Sequence, residues 1–362
     1  MNTVRWNLCI PVILVVSFLV FTAVHARGQN VHLDYLLMDA DSGIENQQGQ
    51  LLGAQKYAIF ANRTHRSKPD KKQMKRKSPE TEDKYKNYTS DDDNLDCMKC
   101  GLSMTERDGR VVNGDVVKPL YKYPWIVPLI QTKQIICGGA IISRKFILTA
   151  AHCIFNKEKL KYPECRGDRA PKECYYKANQ FTIKLLGRQK LKRAMRVKRI
   201  IPHQEFDYER HLNDIALLEL EEPLKCTGKT SPICLPTKKE MYKNGQELYV
   251  AGWGKNTPDR LRGPRLLREG VMKEIEGKEC LRPELPKETI QQYQCLAGTN
   301  QTTCQGDSGT TNFIKYKGKF YALGITSHGK AQYCHPLRPT TFAKVLHFLQ
   351  WIKHHVKDLP EP

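Results

Sequence analysis

Three polar residues sit in apolar surroundings along this chain: His152 in LTAAHC, Asp214 in LNDIALL and Ser308 in CQGDSGTT. Serine is a weak nucleophile until a base takes its proton, and that base works only when a third group fixes its tautomer. Histidine is the usual base and a buried carboxylate the usual third group. Each stretch alone has a plain structural reading: a histidine beside a disulfide cysteine, an aspartate opening a strand, a glycine-rich turn. Together, in the order His, Asp, Ser, they point to a serine nucleophile.

Positioning three such groups takes a rigid frame. From residue 111 onward, short apolar runs are separated by Gly, Pro and charged turns: IVPLI, AIISRKFILTA, FTIKLL, DIALLEL, ELYVAGWG and YALGITS. That spacing predicts an all-β sandwich or barrel. The end, KVLHFLQWIKHHV, places Val345, Leu346, Phe348, Leu349 and Ile352 at a helical period and predicts one closing amphipathic helix.

The first residues, MNTVRWNLCIPVILVVSFLVFTAVHARG, combine Arg5, an apolar run and Val24-His25-Ala26. This reads as a secretory signal over 1–26, cleaved after Ala26. The apolar run is short for a membrane span, so no stable membrane insertion is expected. Of the 13 cysteines, one lies in the signal. The even remainder, in a secreted and extracellular chain, argues for disulfides. The CMKC at 97–100 has no second CxxC partner, so a zinc or redox reading ranks below a disulfide one. Asn62, Asn87 and Asn300 are glycosylation sequons. Residues 27–110 are charged and poor in core formers, and are expected to be a largely disordered propeptide and linker.

The net charge is +21. Residues 111–362 hold 43 Lys and Arg against 24 Asp and Glu, a difference of +19. Partners should therefore be acidic, and nucleic acid is not expected for a secreted chain without a binding motif of that kind.

Over residues 111–354 the chain resembles the trypsin/chymotrypsin-like serine proteases. The three motifs carry the likeness, with PWIVPL, CGGAIIS, ICLP near 233–236, AGWG and the C-terminal helix. The resemblance implies two six-stranded antiparallel β-barrels with the active site between them. It implies His152 as general base, Asp214 as its orienter and Ser308 as nucleophile. The N–H groups of Gly306 and Ser308 would form the oxyanion hole, and Ser327 would support Asp214. It also reads Arg110-Val111 as an activation site behind a propeptide that is not of the clip type. A partner protease of trypsin-like specificity would cut after Arg110, and the new Val111 ammonium would pair with Asp307. It implies the pairs Cys137–Cys153, Cys280–Cys295 and Cys304–Cys334. Cys165–Cys174 would close an insertion particular to this chain. Cys100 would hold Cys234 and Cys97 would hold Cys226, with the exchanged arrangement open.

Thr302, Gln305, Ser327, Gly329 and Thr340 would line the substrate pocket. Thr302 stands where the trypsin branch has an aspartate, so cleavage after Lys or Arg is not expected. Thr340 replaces a usual glycine and would shorten the pocket, which favours small or medium apolar residues of a protein or peptide substrate. His328 replaces a usual tryptophan, and Thr310-Thr311 replaces Gly-Pro. Thr310 is β-branched and unsuited to a positive φ, so the loop is either ordinary there or shifted. A shifted loop would favour the alternative of a catalytically weak binding protein. The stretch matching the calcium loop of some relatives carries seven Lys or Arg between 188 and 199. No calcium, other metal or cofactor is expected, and the run is either a solvated face or a site for anionic polysaccharide or acidic protein.

Overall fold

We describe a computed structural model of the 362-residue chain. It describes residues 95–103, 115–255, 266–329 and 334–362. The predicted signal over 1–26, Asn62, Asn87, Arg110 and Val111 lie outside them.

The strands are β1 (Asp115–Val116), β2 (Ile126–Gln131), β3 (Gln134–Ile141), β4 (Phe146–Thr149), β5 (Phe181–Leu186), β6 (Leu191–Pro202) and β7 (Ala216–Leu220). Then follow β8 (Glu247–Gly252), β9 (Arg268–Ile275), β10 (Tyr293–Ala297), β11 (Thr311–Tyr316), β12 (Lys319–Gly329) and β13 (Thr340–Lys344). The order β2-β3-β4-β7-β6-β5 closes one antiparallel barrel. The order β9-β10-β13-β12-β11-β8 closes a second through β8–β9, with β1 added at the edge of β9. Closure removes the exposed edges that an open sheet would offer. The strands combine buried Ile, Val, Leu and Phe with turns built on positive-φ glycines such as Gly245 and Gly318.

A helix, α1 (Leu349–His355), closes the chain with Leu349 and Ile352 buried. It is shorter than the periodic run suggests, because Val345–Phe348 turn before it. Among the described residues, no helix is long and apolar enough to cross a membrane.

Six disulfides join the described residues: Cys97–Cys226, Cys100–Cys234, Cys137–Cys153, Cys165–Cys174, Cys280–Cys295 and Cys304–Cys334. The arrangement at Cys97 and Cys100 is therefore not the exchanged one. Residues 95–103 are bound into the frame. Leu95 N–H donates to the Cys226 carbonyl, Gly101 N–H to that of Pro232, and Phe320 N–H to that of Gly101. Residues 95–103 of the stretch read as largely disordered thus have fixed structure.

On β6 the basic run alternates with buried Met195 and Val197. Its outward cations meet acids at and beyond β7: Arg196 with Glu221 at 2.9 Å, Arg199 with Glu219 at 2.8 Å, Lys198 with Glu219 at 3.3 Å, and Arg193 with Glu222. Arg188, Lys190 and Lys192 have no acidic partner among the described residues. Exposed pairs of this kind contribute about 0.2–1 kcal/mol each, so they adjust the charge of the face more than its stability.

Candidate active site

The register of β4 and β7 brings histidine and aspartate together. Thr149 lies opposite Ala216. His152 follows Thr149 by three residues and Asp214 precedes Ala216 by two, so both fall just past the same end of the pair. A short 3-10 turn, Ala151–Cys153, carries His152, and Cys153 is tied to Cys137 on β3. Asp214 accepts from His152 N–H at 2.9 Å, and its other oxygen lies 2.7 Å from His152 Nδ1. Ser327, near the end of β12 in the second barrel, donates its hydroxyl to that second oxygen at 2.5 Å. Asp214 is buried. Burial alone pushes its carboxyl up, but the facing His152, the bonds from His152 and Ser327 and the nearby His211 outweigh that and hold it well below the usual range. It is a fixed negative charge at the Nδ1 edge of the imidazole, whose Nε2 lies 3.8 Å from the Cys153 sulfur.

Ser308 precedes β11, where Thr311 pairs with Ile325 on β12. The ladder continues back toward the serine. Thr326 N–H donates to Thr310 at 2.8 Å, and Gly309 N–H to Thr326 at 2.9 Å. Across the barrels, Gly138 N–H donates to the Ser308 carbonyl at 2.8 Å. Among the described residues no hydrogen bond joins Ser308 Oγ to His152. Contacts of this kind are often long without substrate and tighten when it binds. Gly306 has φ of 103°, and neither its N–H nor that of Ser308 is engaged by an acceptor among the described residues. Both remain available to a developing negative charge.

The Thr-Thr pair does not displace this turn. Thr310 lies outside the left-handed region; the positive φ values fall on Gly306 and Gly309. Thr310 is buried, with its hydroxyl on the Asp307 carbonyl at 2.6 Å and near Thr326 Oγ1 at 3.3 Å. Its methyl fills the space where a side chain at Gly138 would fall, 2.2 Å from that Cβ. Gly309 is more constrained still. Its φ is 79°, and a Cβ would stand 2.3 Å from Thr149 Oγ1 and 2.5 Å from the Gly138 carbonyl. Gly309→Ala is therefore expected to cost about 2–5 kcal/mol from the forced conformation and the overpacking together, read as a fall in thermal midpoint.

Asp307 keeps part of its surface open, but its carboxylate is enclosed. It accepts from Gly254 N–H at 2.7 Å and Cys304 N–H at 2.9 Å. A Cβ at Gly252 or Gly254 would lie 2.0 or 2.2 Å from its oxygens. No cation among the described residues pairs with it. Burial therefore pushes its carboxyl up to about 6, against the two N–H bonds, which pull it down.

Thr302, Gln305, Ser327, Gly329 and Thr340 line one pocket with Ser308. Thr302 Oγ1 lies 3.4 Å from Thr340 Oγ1, so the two hydroxyls are within hydrogen-bonding reach of each other in it. His335 and Arg338, which the sequence reading did not single out, also line it. Asn300 is exposed at the turn after β10. The sequence reading also missed His211, whose ring stacks on His328 with centroids 4.6 Å apart and meets His152 edge-on at 6.2 Å.

Two closed barrels with a serine, a histidine and a buried aspartate gathered where they meet define a serine protease domain. The family model for trypsin matches residues 111–352. The chain belongs to the trypsin family, and its substrates are accordingly proteins or peptides.

Proposed function

We propose that the chain is a secreted serine endopeptidase made as a zymogen and activated by a cut after Arg110. The observation that carries this reading is the Ser327–Asp214–His152 chain of hydrogen bonds, which fixes the imidazole for proton transfer at Nε2. Ser308 Oγ attacks the substrate carbonyl while His152 takes its proton. The N–H groups of Gly306 and Ser308 hold the oxyanion, and His152 returns the proton to the leaving amine. Water then cleaves the acyl-enzyme by the same steps. The cut after Arg110, made by a protease of trypsin-like specificity, supplies the Val111 ammonium to the unpaired Asp307 carboxylate. The ordinary conformation of Thr310 supports this reading over that of a catalytically weak homologue.

A fluorophosphonate probe tests this on uncut protein and on protein cut after Arg110. The expected result is labelling of Ser308 in the cut form alone. Labelling before the cut, or none after it in folded material, overturns the reading. On a non-reducing gel the cut protein should keep its mass, because Cys97 and Cys100 remain bonded to Cys226 and Cys234. Reduction should release the leading segment.

The threonines at 302 and 340 support a preference for small or medium apolar residues before the scissile bond. Thr340→Gly is expected to lengthen the pocket and raise kcat/KM for a large aromatic residue over a small one by about 10–200-fold, the range that a few atoms of apolar fit provide. Peptide-library profiling reads this, and an unchanged ranking would count against the assignment of the pocket.

A further inference from the structure

Taking a proton from a serine needs one histidine, yet this site gathers three. One ligand-capable atom from each of His152, His211 and Asp214 lies within 4.8 Å of the other two. His211 reaches this place from a turn with φ of 53°. Its Nδ1 is buried without a hydrogen-bond partner, an uncommon state for a polar atom in a folded protein. His328 stacks on its ring and is itself held by Ser327 Oγ, 3.1 Å from His328 Nδ1. Neutral imidazole is the form that ligates metals.

We propose that His152, His211 and Asp214 bind a divalent transition-metal ion, with zinc as its type, and that the bound ion reversibly switches the site off. Two imidazoles and a carboxylate form a donor set suited to zinc, with a fourth position left for water. Zinc–nitrogen bonds of about 2.0–2.1 Å in tetrahedral geometry place ligand atoms about 3.4 Å apart. The three atoms must therefore draw inward, and the two side chains that would have to turn, His211 and His152, are both only partly buried. The ion competes with the 2.7 Å contact between His152 and Asp214. While it is bound, His152 is a metal ligand and cannot serve Ser308 as a base. No bond of the protein is made or broken, so a chelator restores the site. His328 acts as a positioning residue by stacking on His211. The inhibitory effect rests on the proposed serine chemistry; the binding does not.

The test is calorimetric titration of zinc chloride into chelator-treated full-length protein, uncut and cut. His211→Phe and His211→Gln are compared with the wild type and with a His354→Gln/His355→Gln control, which removes a histidine pair on α1, outside the site. One ion per chain is expected, bound at least tenfold more weakly by both His211 variants and unchanged in the control. The visible absorption of Co2+ should report tetrahedral coordination in the wild type. In the cut protein, zinc should slow fluorophosphonate labelling of Ser308, and EDTA should reverse this. The zinc concentration that halves the labelling rate should rise at least tenfold in the His211 variants, each read against its own zinc-free rate. Equal zinc affinity in wild type and His211 variants would overturn the proposal, as would loss of binding in the α1 control. If the protein binds zinc through His211 yet never labels, the metal site stands and the serine chemistry fails, so the two failures are distinguishable.

Discussion

Asparagine at position 214 is expected to lower kcat/KM of the cut protein about 10⁴-fold, the loss typical when such an aspartate becomes an amide. The amide matches the carboxylate in shape, and its oxygen can still accept from the His152 N–H. What changes is the group facing Nδ1, which lies 2.7 Å away. An NH₂ there requires Nδ1 to accept, which moves the ring proton to Nε2, where it blocks uptake of the serine proton. The fold loses something as well. The Asp214 carboxyl is held below its ordinary value, so its ionised form contributes stability above the unfolded-state pKa, and that contribution fades as pH falls through the folded one. The variant should therefore melt lower than the wild type at pH 7, with the gap narrowing in strong acid. Steady-state kinetics on a peptide substrate and thermal melts check both parts. A kcat/KM within tenfold of the wild type would sink the assignment of Asp214 as orienter.

The second large effect, from Asp307→Asn, should reverse sign with the cut. In the uncut protein the Asp307 carboxyl is pushed up to about 6 from an ordinary 3.8. A raised acid pKa favours the folded state below the unfolded value, and the advantage is lost as pH rises toward and past the folded one. At about 1.4 kcal/mol per unit, the loss between pH 4 and pH 7 is on the order of 3 kcal/mol. The asparagine variant does not lose it. Uncut Asp307→Asn should therefore equal the wild type near pH 4 and melt higher at pH 7. After the cut, the wild-type carboxylate would gain the Val111 ammonium, and the variant would bury that cation unpaired. Breaking a buried pair from one side costs about 3–5 kcal/mol. Activity of the cut variant should accordingly fall at least 10²-fold. An uncut variant that melts lower than the wild type at every pH would show that the carboxylate already has a cationic partner.

The frame and the three residues of the candidate site were legible because they rest on local signals. Alternating apolar runs mark strands one at a time, and the surroundings of His152, Asp214 and Ser308 are each short and distinctive. What stayed hidden depends on residues far apart in the chain. Gly252 and Gly254 stand out in AGWG, but the reason they lack side chains is the carboxylate of Asp307, more than fifty positions away. His211 gives no signal in LNDIALL or beside it. Its meaning comes from stacking on His328, which follows only once the two barrels are set against each other. The basic run was visible as charge, while its pairing with Glu219, Glu221 and Glu222 follows from the register of β6 against β7. Thr310 posed a local question that the sequence left with two answers, and its buried methyl beside Gly138 selects the undisturbed turn.

Residues 95–103 are held at two covalent points, and Gly101 packs so closely on Phe320 that a side chain there would meet its carbonyl at 2.5 Å. A cut after Arg110 would therefore change how the molecule is connected without changing what it contains. The leader would become a leash. Any address written upstream of residue 95 would travel with the working enzyme, at one copy per active site, and would not drift away as a spent fragment. Activity and location would then be inherited together, and only a reductant or a second cut between that address and Cys97 could part them.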